Sequence, residues 1–216
     1  MCLLMTIGMK KKLLLMRHAE HEAAKYHQFI GSTDIGLSEH GRLQAASLAS
    51  LVKRHQPGRC LCSPLKRCIE TTQSLQGISI EINADLREVD FGSWERKTFE
   101  QIQTSDPEIV NQWADFSPAF SFPGGERLED FLIRIQRIAS AITSCPEDSI
   151  LAVTHAGVIR ALLCHFLGLH PRQYILFSVD YGSLTILDLF GDRGILTGLN
   201  HSCFSEDTMP WETSFS

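Results

Sequence analysis

Two short apolar runs, each ending at a histidine, constrain the fold of this chain more than any other feature. Residues 13–16 lead into Arg17 and His18, and residues 150–154 lead into His155. Short apolar runs bounded by polar residues are typical of strands that are covered on both faces of a parallel sheet. Because ligand sites of such sheets lie beyond the carboxyl ends of the strands, both histidines and the arginine should meet in one crevice. Two imidazoles and a guanidinium there indicate phosphate chemistry.

Along the rest of the chain, strand-like runs alternate with helical patterns. This alternation predicts an α/β fold: a three-layer, mostly parallel sheet with helices on both faces. Further strands are expected at residues 59–62, 78–82, 174–179 and 184–190, and the longer helices at residues 38–54, 63–77, 128–144 and 158–167. Gly191 and Asp192 should turn a terminal hairpin.

Capping residues predict several helix starts. Ser38 can cap the first long helix, and Ser63 followed by Pro64 predicts a start with a capping hydroxyl and proline at the first helical position. Thr98 and Gln101 form the pattern of a capping box. Asp106 and Pro107 predict the start of a further short helix.

The chain fits one domain. Its 216 residues are 44% hydrophobic, which is enough for a sizeable core. We expect this domain over residues 9–201, with tails at residues 1–8 and 202–216. Residues 93–125 carry aromatic residues and prolines without a regular period, which predicts a lid-like insertion.

Charge and cysteine content exclude several functions. The net charge of −5 argues against a nucleic-acid partner, and no segment has the pattern of a secretory signal or a membrane span. Seven cysteines without zinc-type spacing indicate reduced thiols in the cytoplasm. We therefore expect no metal and no cofactor, and a small-molecule phosphomonoester as the partner; a homodimer is left open.

Five ordered motifs at the expected spacing carry a resemblance to a known family. They are Arg17-His18-Ala19-Glu20, Leu37-Ser38-Glu39-His40-Gly41, Ser63-Pro64-Leu65-Lys66-Arg67, Glu88-Val89-Asp90-Phe91-Gly92 and Thr154-His155-Ala156-Gly157. From about residue 12 to residue 200 the chain resembles the histidine phosphatase superfamily, which has the phosphoglycerate-mutase-like fold. Residues 122–126, Phe-Pro-Gly-Gly-Glu, further resemble the α-ribazole phosphatase branch.

The resemblance implies a nucleophile and a proton donor. His18 would attack phosphorus and form a phosphohistidine, and Glu88 would protonate the leaving group and then activate water. A lone histidine at a strand end is more often a core residue, but two of them beside arginines favour a site. Glu88 could equally lie in a solvated acidic loop, and only its position in the family motif favours catalysis.

The other implied site residues bind the phosphoryl group. Arg17, Arg67 and His155 would surround its oxygens, because arginine stays charged and its planar fork binds two oxygens at once. Gly31 and Ala156 are the implied substrate-binding positions. The remaining histidines, among them His21, His27, His40, His55, His165, His170 and His201, are expected at the surface or in helix packing.

Departures from the family concern the substrate. Ala24 and Gln28 replace an asparagine and an arginine of many members, and residues 93–125 show no paired arginines for a second charged end of a substrate. A metal-independent phosphomonoesterase is therefore favoured over a phosphoglycerate mutase. The expected substrate is α-ribazole 5'-phosphate of cobalamin biosynthesis. The alternatives are a broad-specificity sugar or nucleotide phosphatase, a protein phosphohistidine phosphatase, the mutase, and a phosphate-binding regulatory module without turnover.

Overall fold

A single sheet organises the part of the chain that the computed structural model describes, residues 10–117 and 119–202. Within these residues it has six strands in the order β3-β2-β4-β1-β5-β6. The strands are β1 Lys11–Arg17, β2 Arg59–Cys62, β3 Ser79–Ile82, β4 Ser149–Thr154, β5 Leu184–Phe190 and β6 Arg193–His201. The hairpin between β5 and β6 turns at Gly191 and Asp192, as the sequence predicts.

The pairing of the strands brings β1 and β4 to the centre of the sheet. Strands β3, β2, β4 and β1 run parallel, and β5 and β6 extend the sheet by antiparallel pairing. Arg17 at the end of β1 lies opposite Thr154 at the end of β4. His18 and His155 therefore leave the sheet side by side at its carboxyl edge.

Six α-helices lie in the described residues. They are α1 Glu39–Lys53, α2 Lys66–Thr72, α3 Phe99–Ser105, α4 Pro107–Ala114, α5 Leu128–Ser144 and α6 Ala156–Leu167. Ser38 caps α1 by accepting from the amide of Gly41, and Thr98 and Gln101 form the predicted capping box of α3. Gly168 ends α6 with φ of 67°, in the left-handed region that glycine adopts without strain. None of the described helices is long and apolar enough to cross a membrane.

The alternating side chains of β1 divide the core into two layers. Leu13 and Leu15 belong to the larger cluster, which α5 and α6 cover. Leu14 and Met16 face the opposite side and pack with residues of α1 and α2. Helices therefore cover both faces of a mostly parallel sheet, and the predicted fold class is confirmed.

Two local predictions are wrong. Residues 174–179 are not a strand, because Pro171–Leu176 forms a 3-10 helix that begins with a capping box between His170 and Gln173. Ser63 and Pro64 do not start α2, which begins at Lys66 and ends at Thr72. The Ser63 hydroxyl lies 2.8 Å from Nε2 of His155, so it serves that imidazole instead of the helix.

The segment 93–125 contains α3 and α4 and is attached to the core through aromatic side chains. Trp94 is fully buried, and its indole N–H donates to Asp106 at 3.2 Å. Phe116, Phe120 and Phe122 are buried members of the larger core cluster. These contacts place the segment beside the carboxyl edge of the sheet, where β1 and β4 end.

Candidate active site

A cavity of about 420 Å3 lies at the carboxyl edge of the sheet. Arg17, His18 and Glu88, three of the residues that the sequence singles out, line it. Arg67 and His155 are fully buried and lie behind His18, with the two imidazole rings 5.0 Å apart. The five expected catalytic residues therefore lie close together in the structure. Three of them line the cavity, and Arg67 and His155 do not.

The backbone and the ring of His18 are both fixed. Its amide donates to the carbonyl of Thr154 at 2.9 Å, and its Nδ1 lies 2.8 Å from the carbonyl oxygen of Ala19. Because a carbonyl oxygen only accepts, Nδ1 carries the proton and Nε2 keeps its lone pair. Burial, with the nearby charges of Arg67 and Arg17, holds the pKa of His18 well below its usual 6.5. The ring is thus a neutral imidazole with a free Nε2, the form needed for nucleophilic attack.

His155 is also held as one neutral tautomer. Arg67 donates from Nε to Nδ1 of His155 at 3.3 Å, so the ring proton is on Nε2 and points to the hydroxyl of Ser63. Burial and the charge of Arg67 hold the pKa of His155 well below 6.5. The other guanidinium nitrogens of Arg67 donate to the carbonyls of Thr33 and Gly31, each at 2.8 Å. Arg67 therefore supplies positive charge from behind the two imidazoles.

Arg17 supplies positive charge from the cavity wall. Its Nη1 donates to the carbonyl of Val179 at 2.6 Å, and its guanidinium carbon lies 3.6 Å from the centre of the Tyr181 ring. This stacking is a cation–π contact that fixes the plane of the guanidinium. The remaining donors can bind an anion in the cavity.

Glu88 is held at the start of α6. Its two carboxylate oxygens accept from the amides of Val89 and Gly157, each at 3.1 Å. The loop that carries it is fixed by Arg134, a buried side chain of α5 that donates to the backbone carbonyls of Asp85, Arg87 and Glu88. Glu88 therefore reaches the cavity wall from a rigid loop.

The two expected substrate-binding positions differ. Ala156 lines the cavity at the first turn of α6. The amide of Gly31 donates to both carboxylate oxygens of Glu95 at 3.1 Å, and its carbonyl accepts from Arg67. Both backbone groups of Gly31 are therefore paired within the protein, which does not agree with the substrate-binding position that the resemblance implies for Gly31.

Several polar residues of the cavity were not predicted as site residues, among them His21, Arg160 and Tyr181. His21, expected at the surface or in helix packing, is 3% exposed, and its Nε2 lies 3.0 Å from the Tyr181 hydroxyl. Arg160 could have been found, because it follows Gly157 by three residues and shares its face of α6. Tyr181 could not, because it reaches the site through the antiparallel pairing of β5 with β1.

Apart from His27 and Gln28, the rest of the cavity wall is apolar and aromatic. Phe29, Phe91 and Phe122 contact one another edge to face, with ring centres 5.1 and 5.2 Å apart for the Phe29–Phe91 and Phe91–Phe122 pairs. Trp113 and Phe131 also line the cavity. In the described parts of the chain, no group of three His, Cys, Asp or Glu side chains is placed to hold a metal ion. One end of the cavity thus suits a phosphoryl group and the other an apolar body.

Comparisons with known proteins agree with this geometry. The sequence profile of the histidine phosphatase superfamily (branch 1) matches residues 13–202. The chain is 28% identical over 196 residues to phosphoserine phosphatase 1 of Hydrogenobacter thermophilus, covering 89% of this chain and 93% of that protein. It is 30% identical over 195 residues to the adenosylcobalamin/α-ribazole phosphatase of Salmonella typhimurium, covering 88% and 96%. The crystal structure of the α-ribazole phosphatase from Shigella flexneri has a TM-score of 0.80 at 25% identity, covering 91% of this chain and 100% of that one.

The buried neutral histidines generate a prediction for stability. Unfolding exposes His18, whose pKa then rises toward 6.5, so the unfolded chain binds the extra proton and stability falls as the pH drops below 6.5. Between pH 7 and pH 5 this loss should be about 2 kcal/mol per such histidine. We expect His18→Gln to reduce the difference between the unfolding free energies at the two pH values by about that amount. Urea unfolding at both pH values measures it, and an unchanged difference would show that folding does not lower the pKa of His18.

Proposed function

This chain belongs to the histidine phosphatase superfamily and is a phosphoric monoester hydrolase, and on that basis we propose that it acts through a phosphohistidine on His18, without a metal ion. The observation that carries the proposal is the His18 ring: a neutral imidazole, fixed through Nδ1, whose cavity also contains Arg17 and Glu88. A nucleophile, a cation and a carboxyl group around one cavity supply what phosphoryl transfer needs.

In the first step, the lone pair on Nε2 of His18 attacks phosphorus, and the bond from phosphorus to the ester oxygen breaks. Glu88 gives a proton to the departing oxygen, so that an alcohol leaves instead of an alkoxide. Arg17, with the positive charge of Arg67 behind His18, stabilises the negative charge that spreads over the three equatorial oxygens, and His155 holds Arg67 in place through its Nδ1. The Nδ1–H bond to Ala19 stabilises the positive charge on the phosphorylated ring.

In the second step, water attacks the phosphorus of the phosphohistidine. The Glu88 carboxylate takes a proton from that water, and the bond from phosphorus to Nε2 breaks. His18 returns to its neutral form, inorganic phosphate is released, and Glu88 is again protonated for the next turnover. No step needs a metal ion to generate the nucleophile or to neutralise charge.

Several expectations beyond the chemistry belong to this proposal. They are a single domain over residues 9–201, a lid role for residues 93–125 and a cytoplasmic location. Phe116, Phe122 and Trp113 of the segment line the cavity, which supports its contact with substrate.

The substrate proposal rests on the apolar wall. Phosphoserine and 3-phosphoglycerate are small and charged at the end away from the phosphate, whereas α-ribazole 5'-phosphate carries an aromatic base. Burying about 100 Å2 of apolar substrate surface against the aromatic side chains of the cavity wall stabilises the bound substrate by about 2.5 kcal/mol. We therefore propose α-ribazole 5'-phosphate as substrate and cobalamin biosynthesis as the process, in line with the name of the Salmonella relative.

The nucleophile can be tested by trapping the intermediate. We expect wild-type protein, quenched during turnover, to carry phosphate that is stable in alkali and lost in acid. His18→Gln should carry none, and its kcat should fall by roughly 1,000-fold or more. Activity on p-nitrophenyl phosphate in excess chelator is the control, and we expect it to be unchanged. Phosphate trapped on serine or cysteine, or activity that returns only with a divalent metal, would contradict the proposal.

The proton donor can be tested through the leaving group. Nitrophenolate leaves without being protonated, whereas an alkoxide needs a proton in order to leave. Glu88→Gln should therefore lower kcat/KM on alkyl phosphates by roughly 100-fold or more. On p-nitrophenyl phosphate the same variant should lower kcat/KM by less than about 10-fold. Asp90→Asn is the matched control, because Asp90 lies two residues away and bonds Ser32 and Gly92 instead of lining the cavity. If Glu88→Gln lost equal activity on both substrates, Glu88 would not be the proton donor. If Asp90→Asn lost more activity on alkyl phosphates than on p-nitrophenyl phosphate, the proton donor would be Asp90.

Substrate choice can be tested by steady-state kinetics on three phosphomonoesters. We expect kcat/KM on α-ribazole 5'-phosphate to exceed that on O-phosphoserine and 3-phosphoglycerate by about 50- to 100-fold, the equivalent of the apolar burial. Trp113→Ala should reduce this preference, and Phe99→Ala, an exposed residue of the same segment, should leave it unchanged. A preference for phosphoserine, equal rates on all three, or transfer of phosphate to 3-phosphoglycerate would each reject the α-ribazole assignment.

A further inference from the structure

Two buried polar atoms have no hydrogen-bond partner among the residues that the structure describes. They are Nε of Arg17 and Nδ1 of His21. Both side chains line the same cavity, and the Arg17 Nε–H is a donor by its chemistry. Leaving buried polar groups unpaired costs free energy, and folded proteins rarely do so without a reason. Two such atoms at one cavity indicate a ligand that pairs with them.

Tyr181 contacts both of these side chains. Its ring stacks on the Arg17 guanidinium, and its hydroxyl lies 3.0 Å from Nε2 of His21. The amide next to it, that of Gly182, donates to the carbonyl of His18 at 3.1 Å, which fixes Tyr181 relative to the nucleophile. Tyr181 therefore sets the plane of one unpaired group and the ring orientation of the other.

The Tyr181 hydroxyl also determines which nitrogen of His21 carries the proton. Burial, with the charges of Arg67 and Arg17, lowers the pKa of His21 to about 4, so the ring is neutral at pH 7 and holds one proton. When the phenol donates to Nε2, that proton is on Nδ1. The guanidinium over the phenol ring favours this direction, because a nearby cation makes a phenol a better donor. The unpaired Nδ1 is then a donor, like the unpaired Nε of Arg17.

We propose that His21 is a phosphate-binding residue that donates from Nδ1 to an oxygen of the bound phosphoryl group, and that Tyr181 is the positioning residue for His21 and Arg17. The inference rests on the proposed function, since it assigns a ligand to the same cavity. The ring centres of His18 and His21 are 5.7 Å apart, and those of His18 and Tyr181 are 5.5 Å apart. Both side chains therefore lie next to the ring that would carry the phosphoryl group. The ligand class is a tetrahedral oxyanion.

Inorganic phosphate, the product, is the probe, and His21→Leu and His21→Asn are the variants. Leucine removes the donor, whereas the side-chain amide of asparagine places an N–H close to the position of Nδ1. We expect His21→Leu to raise the Kd for phosphate, measured by calorimetry, by about 10-fold or more, as for the loss of a hydrogen bond to a charged group. His21→Asn should stay within about threefold of wild type. Melting curves identify any variant that fails to fold.

If asparagine and leucine weaken phosphate binding equally, or if neither does, His21 does not donate to phosphate and the inference is overturned. Direct binding needs no turnover, so these results stand apart from the phosphohistidine test. If wild type binds phosphate and the Kd is unchanged in His21→Leu, this inference alone is rejected. Wild type that neither binds phosphate nor forms phosphohistidine would reject the proposed function as well.

Tyr181→Phe tests the positioning role, because it keeps the stacked ring and removes the hydroxyl. Long-range 1H–15N correlation spectra of the imidazoles give the tautomer. We expect the His21 proton on Nδ1 in wild type and a shift toward Nε2 in Tyr181→Phe, with a rise of about 3- to 10-fold in the Kd for phosphate. A residue that only packs would leave the tautomer unchanged. An Nε2–H tautomer in wild type would overturn the assignment.

Discussion

The parallel pairing of β1 with β4 is the constraint on which both the core and the candidate site depend. The register runs from Lys12 opposite Ser149 to Arg17 opposite Thr154, so both strands end at the same level. The bond from the His18 amide to the Thr154 carbonyl extends this ladder by one step. If the pairing slipped by one residue, each side chain of β1 would turn to the opposite face of the sheet and would meet the helices of the other layer. The same apolar contacts that stabilise the sheet therefore fix the distance between the two imidazoles.

The charge balance behind His18 follows from this burial. Arg67 is fully buried, and its donors end on backbone carbonyls and on a neutral imidazole nitrogen. Among the described ion pairs, none joins Arg67 or Arg17 to a carboxylate. Neutral acceptors satisfy the hydrogen bonds of a guanidinium but leave its charge uncompensated. Burial, together with the resulting positive potential, keeps the histidines neutral, and the same potential favours a dianionic group in the cavity.

The features that the sequence predicts well are those set by local patterns. Strand β1, helix α1 and the capping box of α3 follow from apolar periodicity and capping residues within a few positions. Ser63 fails as a helix cap because its partner, His155, is 92 residues away. The sequence places His21 in a polar loop, and the hydroxyl that contacts its ring belongs to Tyr181, 160 residues away. The family resemblance proposes the roles of Arg67 and Glu88, whereas their hydrogen bonds come from tertiary packing that no periodicity encodes.

The aromatic residues that line the cavity differ in how much they contribute to the stability of the fold. Phe122 is 3% exposed and belongs to the larger core cluster, so a smaller residue there leaves a cavity in the core itself. Phe29, Phe91 and Trp113 are only half-buried and contact the core on one side and the cavity on the other. Changes at these three positions alter the cavity at a smaller cost in stability. A wall of this kind can change its contacts with the body of a substrate while β1 and β4, which carry the candidate phosphoryl site, stay as they are.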